Sequence, residues 1–332
     1  MRAIGRYQVL GEVARGGMGA VLRAQLPGGR PVAIKLLLAG RWATAQQRRR
    51  FAVEARALLR LRHEHLVALL DAGEHEGAPY LVLEWVEGQS LEQRLETRGP
   101  LSPAEARLMT LRLARALAHC HAQGVLHRDL KPGNVLLRGG RPEDPLLTDF
   151  GLARELASHG GVSAGTVSGM WLGTPGYWPP EQARGEKAAV GPRSDVYGLG
   201  AVLYAALTGR PPHQVSSIAE AAAAERDPVV PPGRLRPVPA DLEAVCLRCL
   251  ETDPQRRWAS MEELARALEQ ADSPAPPAPA AAGGGGFALA SAVLLLGCGS
   301  LTLWLLSGGA PAASSARPDP APATPAPRGA TP

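Results

Sequence analysis

Two short polar clusters, each set between apolar residues, constrain this chain more than any other feature of its sequence. They are LHRDLKPGNVLL at residues 126–137 and LLTDFG at residues 146–151. Asp129, Lys131 and Asn134 in the first are spaced by two and three residues, and Asp149 in the second follows Asp129 by twenty. Carboxylate and amide oxygens suit Mg²⁺, which takes one or two protein ligands together with phosphate oxygens. The clusters therefore predict a site for a magnesium–phosphate substrate.

Two of these four side chains are candidate metal ligands, and the other two are candidate reacting groups. Asn134 and Asp149 are the candidate metal ligands. Asp129 is then left to orient a hydroxyl and accept its proton, while Lys131 can neutralise charge on a moving phosphoryl group. This combination predicts transfer of the γ-phosphate of Mg-ATP to a hydroxyl.

Three features of the first sixty residues fit a nucleotide site. The glycine-rich stretch ARGGMGAV, at residues 14–21, lets backbone amides approach phosphates, although glycines are common in hairpins and the signal alone is weak. Lys35, in VAIK, lies on the next predicted strand and would be costly to bury without an anionic partner. An exposed charge on an edge strand is the alternative for Lys35. Glu54, nineteen residues later, can face inward from a predicted helix and hold the lysine.

The pattern of apolar runs predicts a strand-rich part followed by a helical part. Four short runs separated by Gly and Pro predict strands: RYQVLGEVA, GAVLRAQL, RPVAIKLLL and APYLVLEWV. One helix at about 44–61 interrupts them, and helices dominate from residue 90 onward. Ser102, Pro103 and Glu105 supply the start signals of a helix that ends at Gly124.

In chain order, these motifs resemble those of bacterial, eukaryotic-like (Hanks-type) Ser/Thr protein kinases of the membrane-anchored kind, over about residues 5–270. The matching motifs are ARGGMGAV, VAIK, the helical Glu54, HRDLKPGN, DFG, GTPGYWPPEQ at 173–182 and SDVYGLG at 194–200. The resemblance implies an α+β bilobal kinase fold, with a small β-rich N-lobe at about 5–86 and a larger helical C-lobe at about 87–270. It also implies protein Ser/Thr substrates, autophosphorylation, and ATP with Mg²⁺, or Mn²⁺ in its place.

The resemblance assigns a role to each matching position. Asp129 is the catalytic base, Lys131 assists transfer, Lys35 binds phosphates with Glu54 as its partner, and Asn134 and Asp149 hold the metal. The nucleotide-binding positions it implies are Ala14, Gly16, Gly17, Gly19, Val21, Ala33, Lys35, Glu84 and Val86, with Leu83 as gatekeeper. Glu181 would pair with Arg257, and Asp195 would anchor the catalytic loop through its backbone.

Arg128, beside the catalytic base, implies control by an anion on the activation loop. The candidate acceptors are Ser163, Thr166, Ser168 and Thr174, among which the sequence does not choose. One departure from the family pattern is Ala14, which stands where the glycine-rich loop usually begins with glycine. Its methyl group is expected to restrict φ over the nucleotide and to weaken ATP binding modestly.

Beyond residue 270 the composition changes twice. Residues 271–286 and 307–332 are rich in Pro, Ala and Gly and predict a linker and a disordered tail. Between them, 287–306 are twenty uncharged residues, the length of a transmembrane helix. Arg317 on the far side gives no positive-inside support for orientation. With no apolar segment ahead of it, the kinase part is expected on the cytoplasmic face of the inner membrane.

Charge and cysteine usage exclude some alternatives. The chain has 36 Lys and Arg against 31 Asp and Glu, a spread excess that gives little reason to expect nucleic acid as a partner. Arg48–Arg50 are expected on a solvated helix face, and the Cys246/Cys249 pair in a helical core rather than around a metal. His119 and His121 are interpreted as helix-end residues. A pseudokinase scaffold, a small-molecule phosphotransferase and a homodimer formed through the back of the N-lobe remain open alternatives.

Overall fold

The computed structural model describes residues 3–16, 19–38, 44–151, 175–186, 188–215, 220–221 and 228–271. Residues 1–276 form one unit, and residues 277–332 form another that lies wholly outside the described residues. The helices of the described part include none that is both long and apolar enough to span a bilayer. The predicted membrane segment at 287–306 lies outside the described residues.

The N-terminal part is one six-stranded antiparallel sheet. Its strands are β1 (Ala3–Ile4), β2 (Tyr7–Gly16), β3 (Gly19–Gln25), β4 (Pro31–Leu36), β5 (Leu69–His75) and β6 (Ala78–Glu84), in the order β1-β2-β3-β4-β6-β5. The four predicted strands correspond to β2, β3, β4 and β6. The sequence reading missed β5, which is mostly only partly buried and whose LLDAGEH has no apolar alternation.

One helix, α1 (Ala45–Leu58), accompanies this sheet. Thr44 begins it with a capping box, in which Gln47 N–H donates to Thr44 Oγ1 and Thr44 N–H donates to Gln47 Oε1. Phe51, Ala55 and Leu58 are buried at helical spacing. In the basic run, Arg49 and Arg50 are exposed, whereas Arg48 is half-buried and forms an ion pair with Glu74 at 2.6 Å.

Helices dominate the second part, as predicted. They are α2 (Leu91–Arg98), α3 (Pro103–Ala122), α4 (Pro180–Ala183), α5 (Pro192–Thr208), α6 (Ala240–Cys249) and α7 (Met261–Gln270). Ser102 caps α3 by accepting from Glu105 N–H, and Gly124, at φ 72°, follows its end. Every residue from Ser194 to Leu207 is buried, so α5 is the central helix against which α3 and α6 pack.

A small three-stranded sheet positions the polar clusters. It consists of β7 (Gly88–Ser90), β8 (Val135–Arg138) and β9 (Pro145–Leu147). Val135 pairs with Leu147, and Thr148 N–H donates to Asn134 O at 3.0 Å. The hairpin therefore places Asn134, at the start of β8, beside Thr148, at the end of β9. This pairing brings the first polar cluster next to the second, although Asp129 and Asp149 are twenty residues apart in sequence.

The Cys246/Cys249 pair is part of the core, as predicted. Both thiols are buried in α6 against α5, where Cys246 Sγ lies 3.8 Å from Gly200 O. Burial raises the pKa of Cys249 to about 12. Within the described ranges, no group of three His, Cys, Asp or Glu residues could hold a metal ion.

Candidate active site

The catalytic loop is held by one buried carboxylate. Asp195, in the first turn of α5, accepts hydrogen bonds from the backbone N–H of His127 at 2.8 Å and of Arg128 at 2.9 Å. These bonds fix Arg128 at φ 63°, a left-handed conformation that costs a residue with a Cβ about 1–2 kcal/mol. Burial raises the pKa of Asp195, but its contacts with His121 and His127 outweigh this and lower the pKa overall. The anchoring role implied for Asp195 is confirmed.

Asp129, Lys131 and Asn134 converge, as their spacing predicts. Asn134 Nδ2 donates to Asp129 O at 2.7 Å and to Asp129 Oδ2 at 3.0 Å, while Lys131 Nζ lies 3.3 Å from the same carboxylate oxygen. The Asp129 carboxylate is thus oriented from two sides. Both partners stabilise its charged form, which is the form able to accept a proton.

Asp149 reaches this cluster from the end of β9. It adopts φ 61°, another left-handed conformation in a residue with a Cβ. The backbone hydrogen bond from Thr148 N–H to Asn134 O joins the two candidate metal-holding segments. Because Asn134 donates through Nδ2, its amide oxygen is directed elsewhere, and no hydrogen bond to that oxygen occurs within the described part. One amide oxygen and one carboxylate fit Mg²⁺, which needs few protein ligands when phosphates supply the others.

The ion pairs of Lys35 and Glu54 differ from the expectation. Lys35 Nζ lies 2.8 Å from Asp149 Oδ1, and Glu54 Oε1 lies 3.7 Å from Arg128 Nη1. The Lys35–Glu54 pair that the resemblance implies is absent from the ion pairs of the described residues, so that expectation is wrong for this structure. Lys35 pairs instead with Asp149, and Glu54 with Arg128.

A cavity lies between α1 and the catalytic loop. It has a volume of about 220 Å³ and is lined by Glu54 and Leu58 from α1 and by Leu126, Arg128 and Phe150 from the opposite side. Glu54 and Arg128 both line this cavity and form their ion pair there, while Asp149 provides the carboxylate that pairs with Lys35.

The strands of the N-terminal sheet place the expected nucleotide residues together. Val21 on β3 pairs with Lys35 on β4, and Ala33 pairs with Leu83 on β6. Lys35 and Ala33 lie two residues apart on β4, so they share a face. Glu84 and Val86 follow Leu83, and in the described part no backbone hydrogen bond uses Val86, which leaves its N–H and C=O available to a ligand.

The glycine-rich turn leaves no room for a side chain at Gly19, where β3 begins. Gly16 pairs with Gly19, and a Cβ at Gly19 would lie 1.9 Å from Leu36 O. Only glycine fits there. Gly17, an expected phosphate contact, lies outside the described residues.

The expectation for Ala14 rested on a wrong premise. Ala14 lies within β2, paired with Val21, and it is not among the residues with positive φ. The pairing of β2 with β3 shifts register between Glu12 and Ala14, as at a β-bulge. Its methyl group therefore imposes no backbone strain.

A buried histidine lies beside Asp129, the candidate base. His127 Nδ1 accepts from Asp129 N–H at 3.3 Å, and its Nε2 lies 3.0 Å from Thr148 O. This arrangement requires the neutral tautomer that carries its proton on Nε2. Burial lowers the pKa of His127 despite the nearby carboxylates of Asp195 and Asp129.

The ion pair implied for Glu181 and Arg257 is present, and both residues are buried. Ser194 Oγ also donates to Glu181 Oε1, at 2.6 Å. Burial raises the pKa of Glu181, but these hydrogen bonds lower it overall.

Sequence reasoning missed the role of His121. Its Nε2 lies 2.8 Å from Asp195 Oδ2, so it helps to hold the residue that anchors the catalytic loop. A signal existed, since His121 lies in the last turn of the helix that leads into the loop. The activation-loop candidates Ser163, Thr166, Ser168 and Thr174 lie outside the described residues.

Comparison with known proteins gives consistent relatives. The model of the protein kinase domain matches residues 7–268. The chain is 38% identical over 263 residues to the probable serine/threonine-protein kinase PkwA of Thermomonospora curvata, covering 79% of this chain and 34% of that protein. It is 38% identical over 267 residues to the serine/threonine-protein kinase PknB of Mycobacterium tuberculosis, covering 78% of this chain and 42% of that protein. The chain thus spans well under half the length of these two relatives.

Among solved structures, the PknI kinase domain of Mycobacterium tuberculosis (C20A mutant) superposes with a TM-score of 0.63 at 28% identity. The match covers 82% of this chain and 98% of that one. The bilobal arrangement, with a β-rich N-lobe and a helical C-lobe, is therefore the one found in an experimental structure.

Proposed function

This chain belongs to the protein kinase family and has a serine/threonine protein kinase domain, and from that premise we propose that it transfers the γ-phosphate of ATP to Ser and Thr hydroxyls of proteins. The observation that carries the proposal is the convergence of Asp129, Lys131 and Asn134 beside Asp149 and Lys35. A transferase of this kind needs a base, cations and metal ligands at one place, and these five side chains supply them.

Each group has a definite role in the proposed reaction. Asp129, held in its ionised form by Lys131 and Asn134, orients the acceptor hydroxyl and takes its proton. Lys131 stabilises charge on the phosphoryl group in the transition state, and Lys35 binds phosphates of the nucleotide. Asn134 and Asp149 would hold Mg²⁺, which when bound neutralises negative charge on phosphate oxygens.

The proposed regulation uses Arg128. An anion on the activation loop would compete with Glu54 for the Arg128 guanidinium, since phosphate carries more charge than a carboxylate. Glu54, once released, could close on Lys35. We therefore propose that autophosphorylation in the 152–174 segment raises activity.

The proposed location is the inner face of a bacterial membrane. Support comes from the sequence, in which residues 287–306 carry no charge over the length of a bilayer-spanning helix. A second copy of the chain is a proposed substrate through autophosphorylation, and sedimentation would establish whether the two copies form a homodimer.

One assay tests the function. The full-length chain in detergent is incubated with Mg²⁺, γ-labelled ATP and a generic protein substrate, in parallel with Asp129→Asn and an Asp144→Asn control outside the site. We expect phosphoserine or phosphothreonine in the parent and control, and none with Asp129→Asn. Nucleotide binding without transfer would favour a pseudokinase scaffold, and labelling of metabolites alone would favour a small-molecule phosphotransferase.

A further inference from the structure

A glutamate lies unusually close to the catalytic loop without taking part in its hydrogen bonds. Glu92 is in the first turn of α2, and this helix packs against the short turn Pro132–Asn134. The Glu92 carboxylate oxygen Oε2 lies 3.0 Å from the point where a side chain at Gly133 would begin. Lys131 Cε lies 4.0 Å from the same point. The carboxylate therefore borders the space that glycine leaves open two residues after Lys131.

The carboxylate of Glu92 is exposed. Within the described ranges it makes no ion pair and no hydrogen bond. The neighbouring site carboxylates differ, because Asp129 contacts Lys131 and Asn134, and Asp149 contacts Lys35. Glu92 is thus a negative charge beside the catalytic loop that forms no ion pair within the described structure.

Tyr177 gives an independent indication of where this charge acts. This residue belongs to the turn Pro175–Tyr177, which follows the activation-loop segment. Burial raises the pKa of Tyr177, and the negative charge of Glu92 raises it further. Glu92 therefore lies near both the catalytic loop, at Gly133, and the turn Pro175–Tyr177 that follows the activation-loop segment.

We propose that Glu92 is a specificity residue that binds a basic side chain, arginine or lysine, of the protein substrate close to the phosphorylated Ser or Thr. The inference rests on the proposed function. Gly133 allows the substrate chain to approach without steric conflict, and the carboxylate offers two oxygens that match a guanidinium. Since Gly133 is only four residues from Asp129, the basic residue lies within about three positions of the acceptor in an extended chain.

The competing interpretation is that Glu92 only stabilises the amino-terminal end of α2. That end already has a capping box, in which Ser90 and Gln93 exchange hydrogen bonds between side chain and backbone. An acidic residue in the first turn adds a small favourable interaction with the helix dipole. A helix charge of this kind would not discriminate between substrates.

Peptide kinetics with the full-length chain separate these interpretations. Peptides with one threonine carry either arginine or citrulline at each of the three positions on either side. Citrulline has nearly the same shape as arginine but no charge. We expect arginine to be preferred at one position by about three- to fivefold in kcat/KM, as for an exposed ion pair. The preference should appear in KM, because a contact remote from the reacting atoms stabilises substrate and transition state alike.

The variants then assign the preference to one residue. Glu92→Gln should reduce the arginine-to-citrulline ratio to near one, and Glu92→Lys should favour a peptide with glutamate at that position. Glu96→Gln, the same change one turn further along α2, should keep the parent's ratio and rate.

Equal kcat/KM for arginine and citrulline at every position, or a preference that survives Glu92→Gln, would overturn the inference while leaving the kinase activity established. Failure to phosphorylate any peptide or protein would instead overturn the proposed function, and the inference with it.

Discussion

Arg257 and Glu181 form a two-pronged ion pair between positions 76 residues apart in the chain. The distances are 2.8 Å from Nη1 to Oε1 and 2.9 Å from Nη2 to Oε2, and both side chains are at most 1% exposed. The remaining guanidinium protons donate to the backbone oxygens of Arg193, Glu251 and Thr252. All five N–H donors of Arg257 are therefore used. The pair joins the start of α4 to the segment that precedes α7.

Removing the arginine should destabilise the domain strongly. Arg257→Ala leaves the Glu181 carboxylate buried without a cation, with Ser194 as its remaining side-chain partner, which costs about 3–5 kcal/mol of unfolding free energy. Urea denaturation of parent and variant measures the difference. Arg256→Ala removes the adjacent arginine, which is exposed and pairs with Glu251 at 3.5 Å, and should cost much less. Equal losses for the two variants would contradict the bracing role of the pair.

The loss of one acceptor oxygen at Asp195 should impair activity more than stability. Asp195→Asn presents an amide N–H₂ to the backbone N–H of His127 or Arg128, so one of the two loop bonds is lost. Arg128 can then leave its strained φ, and Asp129 moves with it. Because small misplacements of reacting groups are costly, we expect kcat to fall by about 10²-fold. Steady-state kinetics with a matched thermal melt test this, and an unchanged kcat would refute it.

Stability should decrease as pH falls below the normal titration range of histidine. The folded state lowers the pKa of His127, so above about pH 6.5 the ring is neutral in both folded and unfolded chains. Below that pH the unfolded chain takes up a proton that the folded chain resists. The unfolding free energy then decreases by up to about 1.4 kcal/mol per pH unit until the folded pKa is reached.

Denaturation at several pH values between 7.5 and 5 measures this loss. His63 contributes in the same direction because burial lowers its pKa too, so His127 is isolated by comparison with His127→Asn. The variant should be less stable at neutral pH but less sensitive to acid. Parallel pH profiles for parent and variant would show that His127 is not the responsible group.

Activation by autophosphorylation should depend on Arg128. The phosphatase-treated parent is expected to gain about tenfold in initial rate after incubation with ATP, within the usual range of coupling energies. Arg128→Gln should lose this gain, since no cation remains for the phosphate, whereas Arg49→Ala on the exposed face of α1 should retain it. A gain that persists in Arg128→Gln would remove Arg128 from the regulatory account.

Two substitutions near the glycine-rich turn should have different effects on the KM for ATP. Gly19→Ala places a methyl group against Leu36 O and is expected to raise the KM for ATP several-fold by displacing the turn. Ala14→Gly should leave the KM unchanged within about twofold, because Ala14 already adopts a favourable strand conformation. A lower KM for Ala14→Gly would restore the original expectation that its methyl group hinders the nucleotide.

Most of the site could be predicted because its residues are close together in sequence and chemically distinctive. Asp129, Lys131 and Asn134 lie on one loop, so their convergence needs no knowledge of the tertiary fold. The partner of Lys35 could not be predicted in the same way. Glu54 and Asp149 are both carboxylates that the sequence offers as partners for Lys35, and the position of α1, a tertiary property, decides between them.

In the fold, too, features encoded by local sequence could be predicted and features set by distant contacts could not. Apolar runs identified β2, β3, β4 and β6, and capping residues identified the start of α3. β5 escaped because a largely polar strand is stabilised by pairing with β6 rather than by its own pattern. The role of His121 could not be predicted because it depends on a contact with Asp195, 74 residues away.

The β8–β9 hairpin implies that the interval of twenty residues between the two aspartates is incidental. Strand pairing of Val135 with Leu147 aligns Asn134 with Thr148, whatever the length of the turn at Gly139–Asp144 that connects the strands. Homologous chains can therefore lengthen or shorten this surface turn without displacing either acidic group. A search pattern that fixes the gap would overlook such chains, whereas one that requires the two flanking strands would retain them.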